Sequence, residues 1–239
     1  SLEAISVSEP RLVIVRETVG KTVAPRLAWM SEVRNQVDPA NPAALQIFVA
    51  ADSSAMSIIT TEELIHNQLS GHVDSYATPG TSAHRAANPP TLHKMPFMTL
   101  TSGSGNVTTD ANGDFSFASG SSVTFTAKYS GPYVRVENQA AANHSVSQSF
   151  APGVPGTITM NTGLTEWVTS EASCFDSVID MRNWLKSIRP SDTKLDFQVL
   201  ANANLNSTCN AYFDGSSINM YRSGGGCNNT GFSTVITHE

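Results

Sequence analysis

The residues Ser233-Thr-Val-Ile-Thr-His238-Glu239 carry the side chains best suited to metal chemistry. A neutral imidazole binds zinc, and a carboxylate next to it in sequence can polarise a metal-bound water. Thr230 or Ser233 is a candidate N-cap for a helix that runs to Glu239. A histidine followed by glutamate on a helix is the first half of H-E-x-x-H, in which two histidines one turn apart bind one zinc ion. The dipeptide alone is not specific, because any His-Glu pair on the surface of a helix end matches it.

A hairpin and a glycine-rich loop are predicted immediately before this pair. Ala211-Tyr-Phe213 and Ser217-Ile-Asn-Met-Tyr221 bracket Asp214-Gly215, which is a strong signal for a tight hairpin turn. Gly224-Gly-Gly226 then predicts a loop that leads into the final helix.

The whole segment, Cys209-Asn-Ala-Tyr-Phe-Asp-Gly-Ser-Ser-Ile-Asn-Met-Tyr221 followed by the loop and Val235-Ile-Thr-His-Glu239, resembles the thermolysin and fungalysin families of zinc metallopeptidases, the gluzincins. Those families place Asn-Ala-aromatic-aromatic-Asn/Asp-Gly, an apolar strand ending in Tyr, a loop and the H-E-x-x-H helix in this order. Asp214 stands where Asn is commoner, and thermolysin itself lacks the two bracketing cysteines. The chain therefore resembles a divergent branch.

The resemblance implies a role for each of four residues. Asn210 through its side chain and Ala211 through its carbonyl would pair with an extended peptide substrate that adds to the strand edge. His238 would be the first zinc ligand and Glu239 the general base. An ordinary hairpin strand is the alternative interpretation of Asn210 and Ala211.

The remaining catalytic groups of such a peptidase would lie beyond Glu239. These are the second histidine, a downstream glutamate ligand and the donor that stabilises the transition state. A catalytic zinc needs three protein ligands and an open position for water. We therefore expect the parent protein to hydrolyse peptide bonds with zinc, and this chain to be inactive and to hold zinc only weakly.

Three cysteines occur in the chain, so at least one of them is unpaired within it. Cys209 and Cys227 flank a segment dense in turn residues and are the favoured pair, with Cys174 left over. Such a disulfide would contribute about 3 kcal/mol in the chain-entropy model. Three reduced thiols are the alternative.

Composition favours a secreted protein and excludes two classes of partner. Charged residues make up only 14% of the 239 residues, against about 25% in an average globular protein, which is typical of extracellular β-rich proteins. The net charge of −6 gives no basic surface for nucleic acid. No run approaches the roughly 20 apolar residues of a membrane span. Ser1-Leu2-Glu3 lacks the pattern of a signal peptide, as expected if that peptide had been removed.

Residues 1–67 are predicted to form a small sheet. Apolar runs with polar ends indicate strands at 11–16, 26–34, 45–50 and 56–60. The Leu27-Ala-Trp29 strand and the Val49-Ala-Ala-Asp-Ser-Ser54 turn are similar to the tail of a propeptide of the PepSY or fungalysin/thermolysin type. The resemblance implies a zymogen, in which this remnant folds with, inhibits or chaperones its own catalytic domain.

Residues 68–150 contain many short strands separated by Gly and Asn turns, which predicts a small β-sandwich. Thr109-Asp-Ala-Asn-Gly-Asp-Phe-Ser-Phe117 and Gly131-Pro-Tyr-Val-Arg-Val136 resemble carboxypeptidase-regulatory-like modules. Asp110, Asn112 and Asp114 imitate the start of a calcium loop, but the closing glutamate is missing, so a plain hairpin turn is favoured.

A linker at 151–164 and a third region at 165–239 complete the predicted domain organisation. Apolar residues at helical spacing predict an amphipathic helix that stops before Pro190, and Leu195–Leu200 is predicted as a strand. The fold class is thus mixed α/β and mostly β, with a propeptide-like sheet, a β-sandwich and the N-terminal strand-plus-helix layer of a gluzincin catalytic domain.

A second hypothesis belongs to a different class of function. In it the chain is a non-enzymatic extracellular binding or adhesion protein built on the β-sandwich, and the final His-Glu pair is incidental. Four other histidines lie at no ligand spacing and are expected on the surface or in the core, namely His66, His72, His84 and His93.

Overall fold

The computed structural model of the chain describes residues 5–19, 22–35, 44–51, 57–63 and 68–239. The chain divides into two compact units, Ser1–Gln68 and Leu69–Glu239. Strands account for 47% of the structure and helix for 14%, so the predicted fold class, mixed but mostly β, is confirmed. None of the helices in the described part of the chain is both long enough and apolar enough to span a membrane.

The first unit is an antiparallel sheet of five strands. They are β1 (Ile5–Val7), β2 (Arg11–Val19), β3 (Thr22–Asn35), β4 (Ala44–Ala50) and β5 (Ile58–Glu63). β1 and β2 pair with opposite ends of the long β3, which continues to β4 and β5. Residues 52–56, which include most of the predicted turn and the start of the fourth predicted strand, and His66 lie outside the described residues.

Side chains alternate between the two faces of this sheet, because successive residues of a strand point in opposite directions. One face holds the small core of Ala28, Met30 and Phe48. The opposite face carries a cross-strand row in which Trp29 lies between Leu12 and Val49. Trp29 and Leu12 are 45% and 50% exposed, so this second face presents apolar surface.

The second unit contains the other strands and both α-helices. In chain order they are β6 (Gln68–Ala77), β7 (Thr91–Lys94), β8 (Thr99–Thr101), β9 (Val107–Thr108), β10 (Asp114–Ala118), β11 (Val123–Lys128), β12 (Val134–Asn138), β13 (Ser145–Phe150), β14 (Gly156–Met160), α1 (Glu166–Ile188), β15 (Val199–Leu205), β16 (Ala211–Phe213), β17 (Ser217–Tyr221) and α2 (Ser233–Ile236). A 3-10 turn at Thr193–Leu195 follows α1.

Two four-stranded sheets of this unit form a sandwich. One has the order β10-β6-β14 with β7 also paired to β6, and the other has the order β13-β11-β8-β9. Phe115 on the first sheet meets Phe125 and Phe150 on the second edge-to-face, with ring centroids 5.6 and 5.0 Å apart. Asp110 Oδ1 accepts from the backbone N–H groups of Asn112 and Asp114, which closes the turn before β10.

A third sheet has the order β12-β15-β17-β16. β12, β15 and β17 run parallel, whereas β16 is antiparallel to β17 and ends the sheet. α1 packs on this sheet against β12 and β15. Its first half is buried almost continuously from Thr169 to Ser177, not along one stripe, because the sandwich covers the side of the helix that the sheet leaves open.

Strand pairing joins two regions that were predicted to be separate domains. A linker was predicted between residues 68–150 and 165–239, but the two regions share one hydrophobic core. β12 leaves the sandwich region to pair with β15, and the expected linker contains β14, which pairs with β6. The strand expected at Leu195–Leu200 begins only at Val199, where it aligns with Val134 of β12.

We predict that the variant Phe125→Ala has a free energy of unfolding lower by about 3–5 kcal/mol, because it leaves a cavity among packed aromatic rings. Phe125 is completely buried. Leu92→Ala is the control: its side chain is 52% exposed, so we expect a change below about 0.5 kcal/mol. Urea unfolding followed by circular dichroism measures both. Equal decreases in the free energy of unfolding of the two variants would contradict the assignment of Phe125 to the core.

Candidate functional site

The terminal strand β16 is held in place by its turn. Asp214 Oδ1 accepts from the backbone N–H of Ser216 at 2.8 Å and of Ser217 at 2.7 Å. These donors hold the pKa of Asp214 far below its usual range. Gly215 adopts a φ of 94°, a left-handed conformation that glycine takes at little cost. The Asp-Gly signal in the sequence therefore corresponds to a well-defined hairpin.

The two expected substrate-pairing residues lie at the start of this strand. Asn210 is exposed and immediately precedes β16, and Ala211 is its first residue, opposite Met220. Among the described strands β16 pairs only with β17, so alternate backbone groups point away from the sheet. Asn210 is exposed there, whereas Ala211 is buried.

Thr230 connects this strand to the segment that carries His238, and sequence reasoning missed its role. Its Oγ1 donates to the carbonyl of Asn210 at 3.2 Å and accepts from the backbone N–H of Tyr221 at 2.7 Å. One buried hydroxyl thus joins the start of β16, the end of β17 and the loop before α2. A helix N-cap was the role considered for Thr230, but the N-cap position is occupied by Phe232.

A disulfide ties the loop between β17 and α2 to the segment before β16. Cys209 and Cys227 are bonded, with Cα atoms 5.2 Å apart, so the favoured pairing is confirmed. Gly224, Gly225 and Gly226 all have positive φ angles. A Cβ on Gly224 would lie 2.7 Å from the side chain of Thr208, so the backbone passes too close there for a larger residue.

The first turn of α1 binds the same loop. The carboxylate of Glu166 accepts from Ser223 Oγ at 2.8 Å and from Asn229 Nδ2 at 3.1 Å. Partial burial raises the pKa of Glu166, but these donors outweigh that effect, and the net pKa lies below its usual value. The loop that leads to α2 is therefore fixed both to the hairpin and to the helix.

The helix predicted to run to Glu239 ends at Ile236, and His238 and Glu239 follow it in a turn. The backbone N–H of Glu239 donates to the carbonyl of Val235 at 3.2 Å. His238 is exposed and Glu239 is half-buried. No group of three or more His, Cys, Asp or Glu residues suited to a metal ion occurs among the described residues. A catalytic zinc needs three protein ligands, so the residues present do not fit one by themselves.

A groove of about 500 Å³ connects the hairpin to Glu239. Val178 and Met181 of α1 form one wall, Phe213 and Ile218 of the hairpin strands form another, and Glu239 lies at the rim. The lining is mainly apolar, and the volume is typical of ligand sites. Of the predicted site residues only Glu239 lines this groove; Asn210, Ala211 and His238 do not.

The groove also contains a cation stacked on an aromatic ring. The guanidinium of Arg182 lies 3.4 Å from the centroid of Tyr133 and forms an ion pair with Asp196. Lys186 pairs with the same carboxylate at 2.8 Å. Two positive side chains thus share one carboxylate, so the charge at this end of the groove is only partly neutralised.

A second polar cluster lies on β7, away from the hairpin. His93 Nδ1 is 2.7 Å from Asp176 Oδ2 of α1. The hydrogen bond to Asp176 raises the pKa of His93 despite the opposing effect of burial, and Asp180 adds to the rise. No pattern in the sequence predicted the pair, because its members are 83 positions apart.

Comparisons with family models, curated proteins and solved structures found no match to this chain. The described part of the chain provides a terminal strand, a groove and a His-Glu pair that follows a short helix.

We predict that the native protein contains no reactive thiol. Cys174 is buried completely, and burial, with a smaller contribution from Glu171, raises the pKa of its thiol to about 12. A disulfide reagent such as DTNB should titrate no thiol in native protein, one after unfolding in urea, and three after unfolding with reduction. In the Cys174→Ala variant the reagent should titrate no thiol in native protein, none after unfolding and two after unfolding with reduction. Detection of three thiols without reductant would contradict the disulfide.

We predict that His93 stabilises the fold more at acidic than at alkaline pH. A raised pKa means that the folded state binds the proton more tightly, so the contribution is complete below about pH 6.5 and is lost as the pH rises through the folded value. Asp176 and Asp180 are the carboxylates that face His93, and Lys94 lines the same surface depression as His93. Asp74 pairs with Lys94 in the register of β6 and β7. The difference in urea midpoint between wild type and His93→Gln should shrink from pH 5.5 to 8.5. A difference in urea midpoint that stays constant or grows from pH 5.5 to 8.5 would contradict this role of His93.

Proposed function

We propose that this chain is the N-terminal part of a secreted zinc-dependent peptidase of the thermolysin and fungalysin type. In this proposal the third sheet and α1 belong to the catalytic domain, and β16 is the strand that receives the substrate. The chain by itself is inactive, because it supplies one zinc ligand of the three that are needed.

The observation that carries the proposal is the groove shared by the hairpin and Glu239. Phe213 and Ile218 of the hairpin and Glu239 line the same space. A peptide that adds to the free edge of β16 would run along the hairpin and past this rim. A carboxylate placed beside a bound peptide is where a general base is required.

The positions of three residues support the proposed roles. Asn210 is exposed at the start of the strand, so its side-chain amide is free to reach a peptide that lies along β16. Ala211 provides a backbone carbonyl at the terminal strand of the sheet. Thr230 holds the carbonyl of Asn210, which keeps the strand in register with the loop that leads to His238.

In this proposal His238 is the first zinc ligand and Glu239 is the general base. Both residues directly follow α2, and a segment C-terminal to Glu239 would supply the other ligands. Bound zinc would provide a Lewis acid for attack of water on the peptide carbonyl.

The first unit is proposed to be the propeptide remnant of a zymogen. Its sheet presents an apolar row that includes Leu12 and Trp29, and exposed apolar surface is typical of interaction sites. We propose the catalytic domain of the same parent as its partner. The disulfide between Cys209 and Cys227 supports secretion, since such bonds persist in oxidising compartments.

We predict that the parent protein, extended beyond Glu239, cleaves peptides only when it holds metal. Glu239→Gln should lower kcat/KM by about 10²–10⁴ without loss of zinc, because it removes a general base and not a ligand. Glu9→Gln, at an exposed position of the first unit, is the matched control and should leave kcat/KM unchanged.

Two measurements test this prediction, namely peptide hydrolysis with and without a chelator and the zinc content of each variant. Activity that survives complete removal of metal, or a fully active Glu239→Gln variant, would reject the proposal. A folded parent with neither activity nor bound zinc would favour the alternative, an extracellular binding protein built on the sandwich.

A further inference from the structure

Three side chains on β7 and α1 form a continuous chain of hydrogen bonds. Thr91 Oγ1 lies 3.0 Å from His93 Nε2, and His93 Nδ1 lies 2.7 Å from Asp176 Oδ2. We propose that Thr91, His93 and Asp176 form a nucleophilic site that reacts with activated acyl or phosphonyl esters. This site does not involve His238 or Glu239 and goes beyond the peptidase proposal.

The direction of each hydrogen bond follows from the chemistry of the groups. An ionised carboxylate only accepts, so the proton of a neutral His93 lies on Nδ1 and points to Asp176. The lone pair of Nε2 is then free to accept the hydroxyl proton of Thr91. This arrangement gives the three roles of an activated nucleophile: a hydroxyl, a base and a carboxylate that orients the base.

The fold explains why these groups meet. Thr91 and His93 are two residues apart on β7, so their side chains share one face of the strand. Asp176 lies on the buried half of α1, where packing against the core fixes the position of the helix. The side chain of Asp176 is 12% exposed and that of His93 27%, while Thr91 is exposed. The acid is therefore shielded and the hydroxyl is accessible.

A shallow depression of about 410 Å³ adjoins the imidazole. Leu92, Lys94, Pro96, Ala111 and Asn183 line it together with His93 and the two carboxylates of α1. The two carboxylates outnumber the one lysine, so the surface disfavours anionic substrates. The geometry therefore fits a small neutral ester, with its acyl or phosphonyl group over the depression.

The reaction balances without any redox partner. Thr91 Oγ forms a bond to the ester carbonyl carbon while its proton moves to His93 Nε2. The bond from that carbon to the leaving oxygen then breaks, and the leaving group takes the proton from His93. A water molecule hydrolyses the acyl-threonine in the same way and returns Thr91 to its starting state. The proposed site comprises only a nucleophile, a base and an orienting acid. We therefore expect it to react with activated esters and not with amides.

A fluorophosphonate probe tests the proposal on this 239-residue chain. The probe should form an adduct with loss of fluoride, and mass spectrometry should map it to Thr91. The rate should increase with pH as His93 loses its proton. Thr91→Ser should keep labelling, whereas Thr91→Ala should abolish it. His93→Gln and Asp176→Asn should slow labelling at least about tenfold.

Control experiments distinguish loss of this site from a folding defect, and they test the site independently of the peptidase proposal. Thr124→Ala removes another exposed strand threonine and should label like wild type. Circular dichroism verifies that each variant folds. Labelling should be insensitive to a chelator and to Glu239→Gln. Absence of an adduct on folded wild type, or an unchanged rate in Thr91→Ala, would overturn the proposal and leave the peptidase proposal untouched.

Discussion

The burial of the first half of α1 is the constraint on which the second unit depends. Polar groups of a helix enclosed by a sheet and a sandwich cost free energy unless they are paired. Glu171 illustrates this: it is 1% exposed, and its carboxylate accepts from Asn138 Nδ2 at 2.7 Å and from the backbone of His144 at 2.9 Å. Burial still raises the pKa of Glu171 above its usual value. Ser173 likewise accepts from the backbone of Thr78 at 3.0 Å. These bonds fix the helix against elements that are distant in sequence.

Both ends of α1 then position the candidate peptidase site. At the N-terminal end, Glu166 holds the loop before α2 through Ser223 and Asn229. Towards the C-terminal end, Val178 and Met181 form a wall of the groove that Glu239 borders. The hairpin, the loop and α2 therefore depend on one helix. The disulfide and Thr230 add a second set of links between the same parts, which explains how a strand of only three residues keeps a defined position at the end of a sheet.

The two proposed sites use α1 in different ways. The groove beside the hairpin uses its apolar side chains as a wall, whereas the cluster on β7 uses Asp176 as a buried acid. We propose peptide binding for the first site and ester chemistry for the second. The groove and the depression beside His93 share no lining residue.

The sequence by itself determined the local features of this protein. Alternation of side chains and the Asp214-Gly215 turn predicted β16 and β17, and Pro190 correctly limited α1, because these signals act over a few residues. The Cys209–Cys227 pair was also favoured correctly, from the turn residues that it flanks. Only the tertiary structure decided which strands pair and which side chains meet. β12 joins β15 across some 60 residues, and His93 meets Asp176 across 83. Such contacts depend on how faces pack around a shared core, and periodicity identifies a buried face without identifying its partner.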